Sequence, residues 1–110
     1  MPVNIIHEKG KMTAEISGEL DHHEAAEIRM AVDGELAQSF PELLNFDMSG
    51  VTFMDSSGVG LVLGRLRTVK QWDGKVRITD PSPRAEKILK LSGLSALIVK
   101  SRAAGKKAEK

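Results

Sequence analysis

An acid and two adjacent hydroxyls stand together at Asp55-Ser56-Ser57, inside the stretch FMDSSGVGLVLGR (53–65), and three glycines follow at Gly58, Gly60 and Gly64. A second reactive-looking group is Asp21-His22-His23. Serines so placed can act as nucleophiles, as helix caps or as acceptors of a phosphoryl group. A nucleophile would need a base such as His22 or His23 and a G-x-S-x-G elbow, and the residues around Ser56 and Ser57 do not supply that elbow. Gly58-x-Gly60-xxx-Gly64, with Asp80 22 residues after Gly58, has the outline of a dinucleotide loop. Yet nine residues separate Met48, the end of the expected strand, from Gly58, so the glycines fall within a helix rather than in a tight turn leaving the strand. Asp21-His22-His23 fails as a metal site, because neighbours on a helix point about 100° apart and no other His stands at i+4. No P-loop lysine is present. The expectation is a protein without catalytic residues, cofactor or bound metal.

Capping alone would account for one member of Asp55-Ser56-Ser57, since one side chain satisfies the N-cap position. The glycines ask for more. Each glycine inside a helix costs about 1 kcal/mol relative to alanine, so three in seven positions imply close approach by another surface. Gly60 and Gly64, one turn apart, can admit a neighbouring element of the same domain. Gly58 and Gly60, beside the hydroxyls, can equally let a partner reach a serine. A helix N-terminus also receives a carboxylate or an added phosphate on its free N–H groups and positive dipole end.

The elements that must position these residues follow from periodicity. Val3, Ile5 and His7 alternate with polar neighbours; after the turn signal Lys9-Gly10, Met12, Ala14 and Ile16 do the same, and Gly18 is expected to close this hairpin. Ala25, Ile28, Val32 and Leu36 share one helical face, opened by an Asp21-x-x-Glu24 cap and ended by Pro41. Leu44, Phe46 and Met48 fall on one side of a strand, and SGVTFMDSS reads as the loop after it. Val59, Val62, Leu63, Leu66 and Val69 then recur at helical spacing until Gly74. KVRIT alternates as a strand, SPRAEKILKLSG has Ser82 as cap, Pro83 in the first turn and Gly93 as stop, and ALIVK reads as a short last strand. The order β-β-α-β-α-β-α-β defines an α/β fold with a mixed sheet of about four to five strands and the helices largely on one face. The corner between Met48 and Ser57 is where ligand and partner sites of such sheets sit.

Composition agrees with a single small domain. The chain has 110 residues, 41% apolar and 28% charged, with three Phe, one Trp and no Tyr, so few aromatics are on hand for stacking on bases. Absence of Cys excludes disulfides, thiolate zinc sites and cysteine nucleophiles. No stretch reaches the ~20 apolar residues of a membrane span, and MPVNIIHEKG lacks the features of a secretion signal, so the expected location is cytoplasmic with no membrane partner. The net charge is +1, unevenly placed: residues 100–110 carry five basic residues against Glu109, while residues 1–99 carry eleven basic and fourteen acidic. A domain over 1–100 and a basic, disordered tail over 101–110 are expected, with no direct nucleic-acid contact, since the body shows no basic stripe.

SGELDHHEA, FMDSSGVGLVLGR and SPRAEKILKLSGL resemble, in order and spacing, three signature segments of the anti-sigma factor antagonists, the bacterial STAS-domain proteins, and most closely the sporulation type. The resemblance covers about residues 3–99. It implies that Ser57, the second serine of D-S-S-G, is phosphorylated by an anti-sigma factor that is also a serine kinase and binds the ATP itself. It places Asp55, Ser56, Gly58 and Gly60 at the contact surface and Asp21 on the kinase-binding face, with His22 and His23 exposed near it. It further implies that the unmodified protein binds the kinase and displaces its sigma factor, that phosphorylation ends the binding, and that a metal-dependent serine phosphatase restores it. A STAS module serving another signalling complex, or a small nucleotide-binding protein, are the alternative readings.

Overall fold

The computed structural model describes residues 3–100; the expected tail over 101–110 lies outside them. The chain runs β1 (Val3–Glu8), β2 (Lys11–Leu20), α1 (His22–Ser39), β3 (Leu43–Met54), α2 (Ser56–Lys70), β4 (Lys75–Thr79), α3 (Pro83–Leu91), a 3-10 turn (Ser95–Leu97) and β5 (Ile98–Val99). The five strands form one sheet in sequence order, with β1 antiparallel to β2 and the rest parallel. Three parallel crossovers that all step the same way along the sheet stack their helices on a single face when each is right-handed. The pleat agrees with this. Met12, Ala14, Ile16, Leu44, Phe46, Met48, Val76 and Ile78 are buried on one side. On the other side the alternate positions carry polar groups, where Asn45 Oδ1 accepts from Thr79 Oγ1 and Arg77 Nε.

The stripe of α1 is buried as its spacing predicts, whereas in α2 Val59, Val62 and Val69 are buried together with Leu61 and Arg65, and Leu63 and Leu66 are only half-buried. Ala25, Ile28, Val32 and Leu36 of α1 are all buried, each fully buried aliphatic side chain contributing about 1.5–3 kcal/mol. Asp21 caps α1 by accepting the Glu24 N–H at 2.9 Å, and Ser82 caps α3 by accepting that of Ala85 at 3.1 Å. Only half of the expected capping box forms, since Glu24 Oε1 accepts no hydrogen bond among the described residues. Before the starts of β3 and β4, Phe40 ends α1 at φ 45°, meets Trp72 edge to face at 5.0 Å, and Trp72 Nε1 donates to Pro41 O at 2.8 Å.

Two expectations are corrected. Gly18, at φ 81°, does not close the hairpin; β2 continues to Leu20 through register shifts on either side of it. Likewise SGVTFM is not a loop but the second half of β3, which runs to Met54. The physical reason is an irregularity at Ser49-Gly50: Ser49 N–H and Oγ both donate to Asp47 Oδ1, the pairing slips by one residue, and strict alternation breaks although Val51 and Met54 still face the core. The connection from strand to helix is therefore one residue, Asp55, rather than nine.

Candidate functional site

Leu20 of β2 and Met54 of β3 are paired in register at the C-terminal end of their strands. One aspartate follows each, Asp21 and Asp55, and a helix begins at the next residue. The two helix N-termini are thereby set side by side, with the Asp55 N–H directed to Leu20 O at 3.4 Å. Asp55 is the N-cap of α2: its Oδ1 accepts the Ser57 N–H at 2.8 Å, and its carbonyl accepts the Gly58 N–H at 3.0 Å. The cap thus fixes the backbone of Ser57 while leaving its hydroxyl uncommitted, because Ser57 Oγ makes no hydrogen bond among the described residues. Ser57 is partly exposed, and Ser56, His22 and His23 are exposed around it.

The three glycines separate into two kinds. A β-carbon on Gly58 would stand 2.6 Å from Met54 Cγ and Sδ and 3.1 Å from Leu20 Cδ2, so this glycine is buried and lets α2 close onto the ends of β2 and β3. Gly58 is not part of an exposed contact surface. At Gly60 and Gly64 a β-carbon would meet nothing within 4 Å. No neighbouring element of the domain uses the room they leave. Instead they line a groove of about 510 Å³ between α1 and α2, with Ser57 and His22 at one end and Arg29 and Arg67 also on its walls.

Arg65 lies in this groove, 8% exposed, with Nε 2.9 Å from Asp33 Oδ1 of α1. Burial pushes its guanidinium pKa down; Asp33 opposes that shift, and the nearby charges of Arg29 and Arg67 add to it. Among the described residues no group of three His, Cys, Asp or Glu is arranged to hold a metal ion, and no helix is long and apolar enough to cross a membrane.

Sequence reasoning singled out Asp21, His22, His23, Asp55, Ser56, Ser57, Gly58 and Gly60. The fold gathers them at the C-terminal end of β2 and β3, with Gly58 buried beneath. It adds Phe53, which is 44% exposed three residues before Ser56, and the arginine end of the groove. Phe53 belonged to a segment read as loop. The arginines signal only through helical spacing on two helices at once, which has no meaning until the helices are known to be neighbours.

A five-stranded mixed sheet backed by three helices, with paired helix entries at the C-terminal ends of two neighbouring strands and a serine hydroxyl that makes no hydrogen bond among the described residues, defines a small mixed α/β domain. The chain matches the STAS domain family over residues 3–107 and belongs to it. It is 33% identical to the anti-sigma F factor antagonist of Paenibacillus polymyxa over 94 residues, covering 86% of this chain and 80% of that one. Its fold superposes on the anti-sigma factor antagonist SpoIIAA in its unphosphorylated form with a TM-score of 0.83 at 28% identity, covering 98% and 97% of the two chains. On the Bacillus cell fate determinant SpoIIAA in the phosphorylated form the TM-score is 0.75 at 30% identity, covering 94% and 97%.

Proposed function

We propose that this protein is an anti-sigma factor antagonist that works as a phosphorylation-controlled binding partner rather than as an enzyme. Its unphosphorylated form binds an anti-sigma factor serine kinase and sets the sigma factor free. Ser57 Oγ then attacks the γ-phosphorus of ATP held by the kinase, ADP leaves, and the hydroxyl proton passes to a base on the kinase. The phosphorylated form no longer binds. A serine phosphatase returns the hydroxyl by hydrolysis.

The observation that carries this reading is the state of Ser57: a partly exposed hydroxyl without a hydrogen-bond partner among the described residues, on a backbone that Asp55 holds by the Ser57 N–H at 2.8 Å. Similarity to SpoIIAA, which exists in unphosphorylated and phosphorylated forms, supports it. A phosphate adds about −1.5 to −2 charge. On the first turn of α2 that charge meets the positive end of the helix dipole, so the fold tolerates it. Against a kinase pocket already holding nucleotide phosphates it is repelled, and docking is lost.

The test is incubation with the cognate anti-sigma factor kinase and ATP, followed by mass spectrometric location of the phosphate. Phosphate on Ser57, kinase binding retained by Ser57→Ala and lost in Ser57→Asp, is the expected result. Phosphate elsewhere, or a Ser57→Asp variant that binds as well as the parent, overturns the reading.

A further inference from the structure

The α1–α2 groove has a second end, and nothing in the chemistry of Ser57 explains it. Its floor holds Arg65, nine-tenths buried, whose guanidinium makes no hydrogen bond among the described residues although Asp33 lies within ion-pair distance. The Asp33 side chain is 44% exposed, but the Oδ1 that faces Arg65 is buried and accepts no hydrogen bond among the described residues. Arg29 on α1 and Arg67 on α2 are exposed on the walls and form no ion pair among the described residues. Three guanidinium groups thus line one groove, and of these only Arg65 has a carboxylate within ion-pair distance among the described residues, while the body of the chain over residues 1–99 has more acidic than basic residues.

The walls are also shaped for a chain rather than a small ion. Ala26, Gly60 and Gly64 leave a shallow path from Ser57 towards Arg67, and the two glycines keep it open at a cost of about 1 kcal/mol each in helix propensity. Ten residues of helix separate Ser57 from Arg67, a run of about 15 Å at 1.5 Å per residue. An incompletely satisfied buried guanidinium flanked by two free ones calls for carboxylates, which accept its planar donors in pairs.

We infer that the α1–α2 groove receives an acidic segment of the partner that docks at Ser57, its backbone passing over Gly60 and Gly64 and its carboxylates meeting Arg29, Arg65 and Arg67. This rests on the switch reading given above. Ser57 and the exposed Arg67 are electrically separate, because ~15 Å along α2 exceeds the screening length of about 8 Å for exposed charges at physiological salt. Phosphorylation therefore removes the Ser57 anchor and leaves the Arg67 end of the groove unchanged.

The experiment is calorimetric titration of the full chain with the cognate anti-sigma factor kinase at several salt concentrations, using the parent, Arg29→Glu/Arg67→Glu, Arg67→Lys and Ser57→Asp. Both exchanged arginines are exposed, and thermal melts establish that the variants fold. The double reversal is expected to lower affinity roughly tenfold or more at low salt and to flatten the salt dependence; Arg67→Lys keeps most of the affinity. Unchanged affinity, or a loss with an unaltered salt dependence, overturns the acidic-segment inference while leaving the switch intact. If free inorganic phosphate at low millimolar concentration binds the parent and competes with the kinase through Arg29 and Arg67, the groove is a small-anion site and the inference also fails. Full binding by Ser57→Asp is the separate result that removes the switch reading itself.

Discussion

Met54 occupies the space that a side chain at Gly58 would need: a β-carbon there would stand 2.6 Å from the Met54 Cγ and Sδ atoms. Gly58→Ala must therefore displace Met54 or lift the start of α2, and a loss of about 1–3 kcal/mol is expected from overpacking. Gly64→Ala, one and a half turns later, meets open space and gains up to about 1 kcal/mol of helix propensity. Urea denaturation of both variants should show shifts of opposite sign, and two shifts of the same sign would refute this division of the glycines.

Removing the partner of a buried cation has a different signature. Asp33→Ala leaves Arg65 without its only ion pair among the described residues, and a loss of about 1–3 kcal/mol is expected, below the range for a fully buried pair because Asp33 is 44% exposed. Arg65→Met in the Asp33→Ala background should recover part of that stability. A double-mutant cycle measures the coupling, which should be absent if the 2.9 Å contact is incidental.

Asp55 and Asp21 are expected to act first on their helices. Asp55→Ala removes the acceptor of the Ser57 N–H and should cost about 1 kcal/mol by the loss of an N-cap, with Asp55→Asn costing less. Hydrogen exchange at the Ser57 amide should accelerate in the alanine variant. If it does not, Asp55 is not what holds Ser57 in place.

The pH dependence has a named source on α3. Hydrogen bonds from Lys100 and Lys90 hold the Glu86 carboxyl below its ordinary 4.5. A carboxyl lowered in the folded state contributes stability that is fully present above its unfolded pKa and is lost as pH falls through the folded value. The melting-temperature difference between the parent and Glu86→Gln should thus be steady near neutrality and close on acidification below about 4.5. A gap that persists in acid would place the effect elsewhere than the 2.8 Å Lys100 and 3.0 Å Lys90 contacts.

Much of this molecule is written locally. The stripe Ala25, Ile28, Val32 and Leu36, the caps Asp21 and Ser82, and the stop at Gly93 are decided by side chains within a few residues of each other, and each stands where its spacing predicts. The Asp-Ser-Ser-Gly segment was equally legible as a helix entry, because an N-cap and its acceptor N–H lie two or three residues apart.

What tertiary structure alone decided depends on partners distant in the chain. The second half of β3 became strand only through its pairing with β2, which supplies hydrogen bonds that an interrupted alternation does not announce. Gly58 and Gly60 look alike in sequence; one is packed by Leu20 and Met54 and the other faces open space. Arg65 reads as a solvated helix residue until Asp33 of another helix is set against it, and the groove it floors exists only because two crossovers place α1 beside α2. Short-range geometry is a property of neighbouring residues, whereas burial, free space and accumulated charge belong to surfaces that folding brings into contact.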